Sequence, residues 1–201
     1  HRDLHYPLRR QRQMCIRDRY RREHNLFVAE GIRICREAVE NGWEIRYLLY
    51  DNLNADAQKI ENLISNVLCL GADVIGVTSE ILSKISHKEN SQNVLCVICQ
   101  KWNDLPGIIK NKTFVALETV RDPGNLGTIL RTMDGVGATD CILLDHCTDP
   151  FSYESVRASM GAIFNVNIIA SSTKNFLKWK SKHKISLIGT SLINATDYTL
   201  S

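Results

Sequence analysis

The chain has 201 residues, 44% of them hydrophobic and 23% charged, with a formal net charge of +3. That suffices for one large domain or two small ones around a buried core, and it excludes disordered and fibrous classes. Seven scattered cysteines argue against a disulfide framework, and no apolar run has the length of a membrane span or the pattern of a signal peptide, so a cytoplasmic protein is expected.

The charge is unevenly spread. Residues 1–22 carry eight arginines and two aspartates, a net of +6, so the remaining 179 residues sum to −3. A basic arm for nucleic acid is one reading of that tail. The string "QRQMCIRDR", however, resembles translated sequencing-adapter read-through. Residues 1–20 are therefore taken as a non-native tail and set aside from fold reasoning.

From Leu26 onward the pattern is regular. "LFVAE" reads as a strand and "GIRICREAVE" as a helix closed by Asn41 and Gly42. "EIRYLLYD" is a strand, "ADAQKIENLISNVLCLG" a helix and "DVIGVTS" a strand. Ser79 is placed as the N-cap of the helix "EILSKIS", and "NVLCVICQ" closes the unit as a strand. Residues 21–100 thus form a small α/β domain, and the polar stretch 101–112, with its Pro–Gly pair, reads as a linker.

The alternation then restarts over residues 113–201. "TFVALETV" is a strand and "LGTILRTMDGVG" a helix stopped by Gly137; "CILLD" is a strand and "SYESVRASMGAIF" helical. "NVNIIA" is a strand, "TKNFLKWKSK" a helix and "KISLIGTSL" a final strand. Such alternation implies a parallel sheet with helices on its faces.

The junction "DPGNLG" joins a strand to a helix. Asp122 and Pro123 suit the start of a turn, and Gly124 and Gly127 permit backbone angles that other residues resist. Neither GxxxxGK[ST] nor GxGxxG is present, and the GxxG of a KH domain does not follow a strand. A tight strand-to-helix turn with no ligand accounts for the glycines as well as a binding loop does. Two polar companions favour a ligand: Asn125 in the turn, and Arg131, whose charge in the first turns of a helix opposes the macrodipole unless an anion relieves it. "VRASMGAIFNV" groups Arg157, Ser159 and Gly161, while Gly189 and Thr190 end the last strand. Ligands of open α/β sheets lie outside the carboxyl ends of the strands, where these loops meet.

Other combinations are weaker. Cys96 and Cys99 form CxxC, but strand geometry points them to opposite faces and no second pair exists, so no metal is expected. "DHC", at Asp145, His146 and Cys147, is a poor nucleophilic trio because sequence neighbours on a strand end rarely converge.

The block "LETVRDPGNLGTILRTMDGVGATDCILLD" followed by "VRASMGAIFNV" resembles the first half of a SpoU/TrmH-type catalytic domain of the SPOUT superfamily. "FVAEGIRICREAVENG" and "SEILSKISHKENSQNVLCVI" resemble the small, ribosomal-protein-like substrate-binding domain that precedes it in many members. The resemblance implies transfer of a methyl group from S-adenosylmethionine to a ribose 2′-hydroxyl in rRNA or tRNA, by a homodimer whose parallel sheet ends in an α/β knot. It implies catalytic roles for Asn125 and Arg131, RNA contacts through Arg157, Ser159, Glu30 and Arg33, and cofactor contacts through Gly189, Thr190 and Leu192. The family's later elements, Gly-Asn-Glu, Ile-Pro and Ser-Leu-Asn with a C-terminal helix, do not occur before Ser201. A partial SPOUT domain is therefore expected over 113–201, with an incomplete cofactor site and a weakened dimer. The rival readings are a non-catalytic RNA-binding module, or an inactive fragment that lacks the cofactor site, and an oxidoreductase; the missing GxGxxG and ribose-binding acid count against the last.

Overall fold

The computed structural model describes residues 21, 23–54, 57–86, 92–108 and 112–190. The first half contains β1 (Leu26–Glu30), α1 (Ile32–Glu40), β2 (Ile45–Asp51), α2 (Ala57–Cys69), β3 (Asp73–Val77), α3 (Ser79–Ser86) and β4 (Val94–Cys99). Its sheet has the order β1-β4-β2-β3, with β4 antiparallel to both β1 and β2, and β2 parallel to β3. The helix α1 stops where expected. Gly42 has φ +65, and its neighbour Trp43 donates its N–H to Ala38 O at 3.0 Å, closing the last turn. Ser79 is the first residue of α3 and not its cap; its hydroxyl donates to Asp51 Oδ2 at 2.5 Å instead.

The second half contains β5 (Phe114–Glu118), α4 (Pro123–Gly135), β6 (Asp140–Leu144), α5 (Tyr153–Ala158), a 3₁₀ turn (Ala162–Phe164), β7 (Asn167–Ser171) and α6 (Thr173–Lys182). Its three strands pair in parallel in the order β5-β6-β7, as the alternation implies. The helix expected over "SYESVRASMGAIF" is broken, because Met160 and Gly161 both take positive φ, and a 3₁₀ turn follows. The expected last strand is not formed within residues 185–190. Ile185 packs on the sheet, but Ile188 is 95% exposed. Among the described residues no strand is hydrogen-bonded to 185–190, so their backbone forms no ladder.

The two halves share a core. Phe27 and Trp43 of the first half meet Phe151 and Phe164 of the second, with ring centroids 5.0 Å apart for Phe27–Phe151 and 5.3 Å for Trp43–Phe164. Trp43 Nε1 donates to Phe164 O at 3.1 Å. The polar stretch 101–108 is packed as a strap on the outer edge of β7. Asn103 N donates to Ile168 O at 2.8 Å, and Pro106 O accepts from Trp179 Nε1 at 2.8 Å. On one face the parallel sheet buries Cys141 and Ile168 against Leu126 and Leu130 of α4. On the other, Ile142 and Ile169 lie under Phe176 and Trp179 of α6.

Candidate active site

The loops after β5 and β6 are tied together at the carboxyl rim of the parallel sheet, where Thr148 N donates to Val120 O at 2.7 Å. Thr119, the residue after β5, has φ 57, a rare conformation for a β-branched side chain. The chain then turns into α4. Asp122 is the N-cap, its Oδ1 accepting the Asn125 N–H at 2.7 Å, and Pro123 takes the first helical position.

Gly124 and Gly127 are not there for unusual backbone angles, since both lie inside α4 and neither has positive φ. Gly127 serves close approach. A Cβ on it would lie 2.5 Å from Ser155 O and 2.8 Å from Ser159 N, both backbone atoms of the segment packed across it. Ser155 Oγ fastens the same contact by donating to Pro123 O at 3.1 Å.

Asn125 and Arg131 both face solvent on α4. Six residues of helix separate them by about 9 Å along the axis and roughly 120° around it. The helix begins at Pro123, so Arg131 is its ninth residue, beyond reach of the N-terminal dipole. The expected conflict with the macrodipole is thus absent. What remains is an exposed guanidinium that no hydrogen bond or ion pair ties to the described residues.

The structure brings Glu30, Arg33 and Arg157 together. They line a crevice of about 310 Å³ between the two halves, with Gln92, Tyr153 and Met160. Glu30 is committed within it: Oε1 accepts the Gln92 N–H at 2.6 Å, and Oε2 accepts the Tyr153 hydroxyl. Burial and the Glu30 bond together push the Tyr153 phenol well above its ordinary pKa. Glu30 therefore clasps the halves together, while Arg33 and Arg157 supply the charge. Ser159 departs from expectation. It is fully buried, and its hydroxyl donates to Val156 O at 2.7 Å, so it cannot touch RNA from this position.

A second crevice of about 660 Å³ opens at the carboxyl ends of β6 and β7, lined by Trp102, Asp145, Cys147, Asp149 and Ser171 among others. Asp145 accepts from the backbone and hydroxyl of Thr173, which holds its carboxyl below the usual range and anchors the start of α6. Cys147 donates to Leu117 O at 3.2 Å, so "DHC" makes no trio. Asp149 pairs with Arg21 at 2.8 Å, and Arg21 also donates to Phe151 O. Neither Arg21 nor Tyr153 stands out in the sequence, because each acts through a partner more than 100 residues away. Cys96 is buried and Cys99 half-buried, in keeping with opposite strand faces, and no metal-holding cluster occurs among the described residues.

Gly189 and Thr190 are exposed, and Gly189 has nothing within 4 Å of where a Cβ would stand. Neither lines the two crevices above, and Leu192 lies outside the described residues. Among the described residues no helix is long and apolar enough to cross a membrane.

Comparison with known proteins adds to this geometry. Residues 112–200 match the SpoU rRNA Methylase family, and residues 8–96 match the MRM3-like substrate binding domain, a match that begins inside the basic tail. An rRNA methyltransferase from Sinorhizobium meliloti superposes with a TM-score of 0.83 at 35% identity, over 91% of this chain and 69% of that one. The AdoMet-bound form from the same organism superposes at 0.74 with 37% identity, over 82% of this chain and 61% of that one. The 23S rRNA (uridine(2479)-2′-O)-methyltransferase of Streptomyces viridochromogenes is 31% identical over 143 residues, 70% of this chain and 49% of the relative. The chain thus spans about half the length of that curated relative.

Proposed function

Because this chain belongs to the SpoU rRNA methylase family, we propose that it acts in transfer of a methyl group from S-adenosylmethionine to a ribose 2′-hydroxyl of rRNA. The observation that carries this reading is α4 itself: Asp122 satisfies the helix cap, which leaves the Asn125 and Arg131 side chains free on the solvent face.

S-adenosylmethionine supplies an electrophilic methyl carbon on a sulfonium centre. The open space at Gly189 suits close approach of a ligand to backbone, and Gly189, Thr190 and Leu192 are the residues proposed to hold the donor. A guanidinium has donors and no acceptor, so Arg131 is a poor general base. Its planar fork is suited to hold the phosphate beside the target ribose and so aim the 2′-oxygen. The hydroxyl proton would pass to that phosphate or to water as the methyl carbon is transferred from sulfur to the 2′-oxygen, the S–C bond breaking and the sulfur leaving as a neutral thioether. Asn125 can donate to and accept from the ribose. Positioning of this kind supplies several kcal/mol of barrier reduction on the order of the effective-molarity gains known for oriented reactants.

Residues 21–100 are proposed to bind the RNA, with Arg33 and, across the crevice, Arg157 of the second half on its phosphates, and residues 113–201 to carry the chemistry. A homodimer in the cytoplasm is the proposed setting. Val136 and Ile188, both apolar and exposed, are surface that a second copy would cover, and the six described cysteines are all free thiols.

The test is methyl transfer from labelled S-adenosylmethionine to rRNA, with wild type and Arg131→Ala side by side. Wild-type transfer, lost in Arg131→Ala at an unchanged melting temperature and only partly restored by Arg131→Lys, is the expected result. Full turnover by Arg131→Ala would remove the assignment of that residue. Calorimetry that detects no binding of S-adenosylmethionine would remove the proposed donor contacts.

A further inference from the structure

The helix α6 concentrates positive charge that no ion pair among the described residues uses. Five of the chain's eleven lysines fall within residues 173–184, which contain no acid. Residues 23–201 sum to −3, so with those five set apart the rest of that span sums to −8. Lys174, Lys178 and Lys182 are exposed and spaced four apart, which aligns them along one face of the helix. None of the three has a hydrogen bond or ion pair among the described residues, whereas Lys112 pairs with Asp140 at 3.1 Å.

Helix stability does not explain the pattern. Like charges four apart on a helix repel, and Lys174 sits in the first turn, where the dipole favours an anion. Only the lysines near the C-terminus gain from the dipole. Yet the helix is firmly held. Ser172 caps it, Asp145 anchors Thr173, and Trp179 packs on Phe114 with centroids 5.2 Å apart while its Nε1 bonds Pro106 O. The helix therefore fixes the roots of three lysine side chains about 6 Å apart along its axis. That interval is close to the one between successive phosphates of an RNA strand.

We propose that α6 is a second RNA-contact surface, on which Lys174, Lys178 and Lys182 track the phosphate backbone. The proposal rests on the reading of this chain as an RNA-modifying enzyme, but it concerns a different face. The parallel sheet lies between α4 and α6, so α6 grips a flank of the RNA away from the nucleotide that meets Arg131. The contact supplies affinity without sequence preference.

The experiment is binding of the 201-residue chain to a labelled oligouridylate and to purified 23S rRNA across a salt series, for wild type and Lys174→Gln/Lys178→Gln/Lys182→Gln. Glutamine keeps helix propensity, and a thermal melt checks that the fold stands. Three lost phosphate contacts should weaken binding roughly ten- to a hundredfold at low salt and flatten the slope of log affinity against log salt by about 2. An unchanged slope and affinity would overturn the proposal. So would wild-type protein that binds neither RNA. The slope is read without S-adenosylmethionine, so it tests α6 even if the chain transfers no methyl group.

Discussion

Thr119 is the residue at which the rim of the sheet is most strained. A β-branched side chain in the left-handed region costs about 1–2 kcal/mol, and Thr119 is exposed, so no packing compensates it. Thr119→Gly relieves that strain but frees the unfolded chain, which costs roughly 0.5–1 kcal/mol. The net expectation is a gain of up to about 1 kcal/mol in denaturant titration. A loss would mean that the threonine side chain holds the loop in a way its exposure hides. Residue types near this point were legible in the sequence: Asp122 as a turn residue, Asn125 and Arg131 as its polar companions. The dipole conflict at Arg131 was not a sound guide, because the helix begins at Pro123 and not at Leu126, which carries Arg131 out of the first turns. Ser159 failed for a related reason. Sequence proximity to Arg157 says nothing of direction, and Arg157 faces solvent while Ser159 is buried beneath the helix.

At the scale of elements, periodicity located nearly every helix and strand, since each buries one apolar face. It could not show the antiparallel place of β4 in the first sheet, nor what lies across a glycine. Gly127 is the clearest case. Alanine there would gain about 1 kcal/mol of helix propensity, against an overpacking cost of about 1–3 kcal/mol. The atoms it meets at 2.5 and 2.8 Å are the Ala158 Cβ and two backbone atoms, none of which can swing aside, so the cost wins. Gly127→Ala should destabilise by up to about 2 kcal/mol and disturb the seat of Asn125; a melt higher than wild type would contradict the close contact of α4 with α5. A second element-level device sits at the end of β2. Asp51 accepts from Ser79, Asn54 and the Leu53 N–H, which hold its carboxyl down to about 2. The unfolded value is about 3.9, so this stabilisation is full above that pH and is lost as pH falls toward about 2. Asp51→Asn should therefore lower the melting temperature at neutral pH, and the gap to wild type should close as pH approaches 2. A gap that stayed constant through that window would show the carboxylate charge to be irrelevant.

At the scale of the whole molecule, the sequence suggested two domains and a linker, because composition shifts at 101–112 and strand–helix alternation restarts there. It could not reveal that aromatic residues far apart in the chain meet. Phe27, Trp43, Phe151 and Phe164 form one cluster across the boundary, Trp102 of the strap stacks edge-on to Phe151 at 5.1 Å, and Glu30 and Tyr153 clasp the rim. Fully buried Phe151 belongs to the second half by sequence and to the first half's core by contact. If that core is shared, the halves cannot unfold independently. Trp43 reports on the first half and Trp179 on the second, so variants retaining one tryptophan at a time should give coincident denaturation curves. Phe151→Ala removes a large buried ring and should cost about 3–5 kcal/mol. Both reporters should then shift to lower denaturant together. Were only one of them to move, the aromatic cluster would belong to a single half, and the crevice that holds Arg33 beside Arg157 would have to be regarded as a hinge between two bodies.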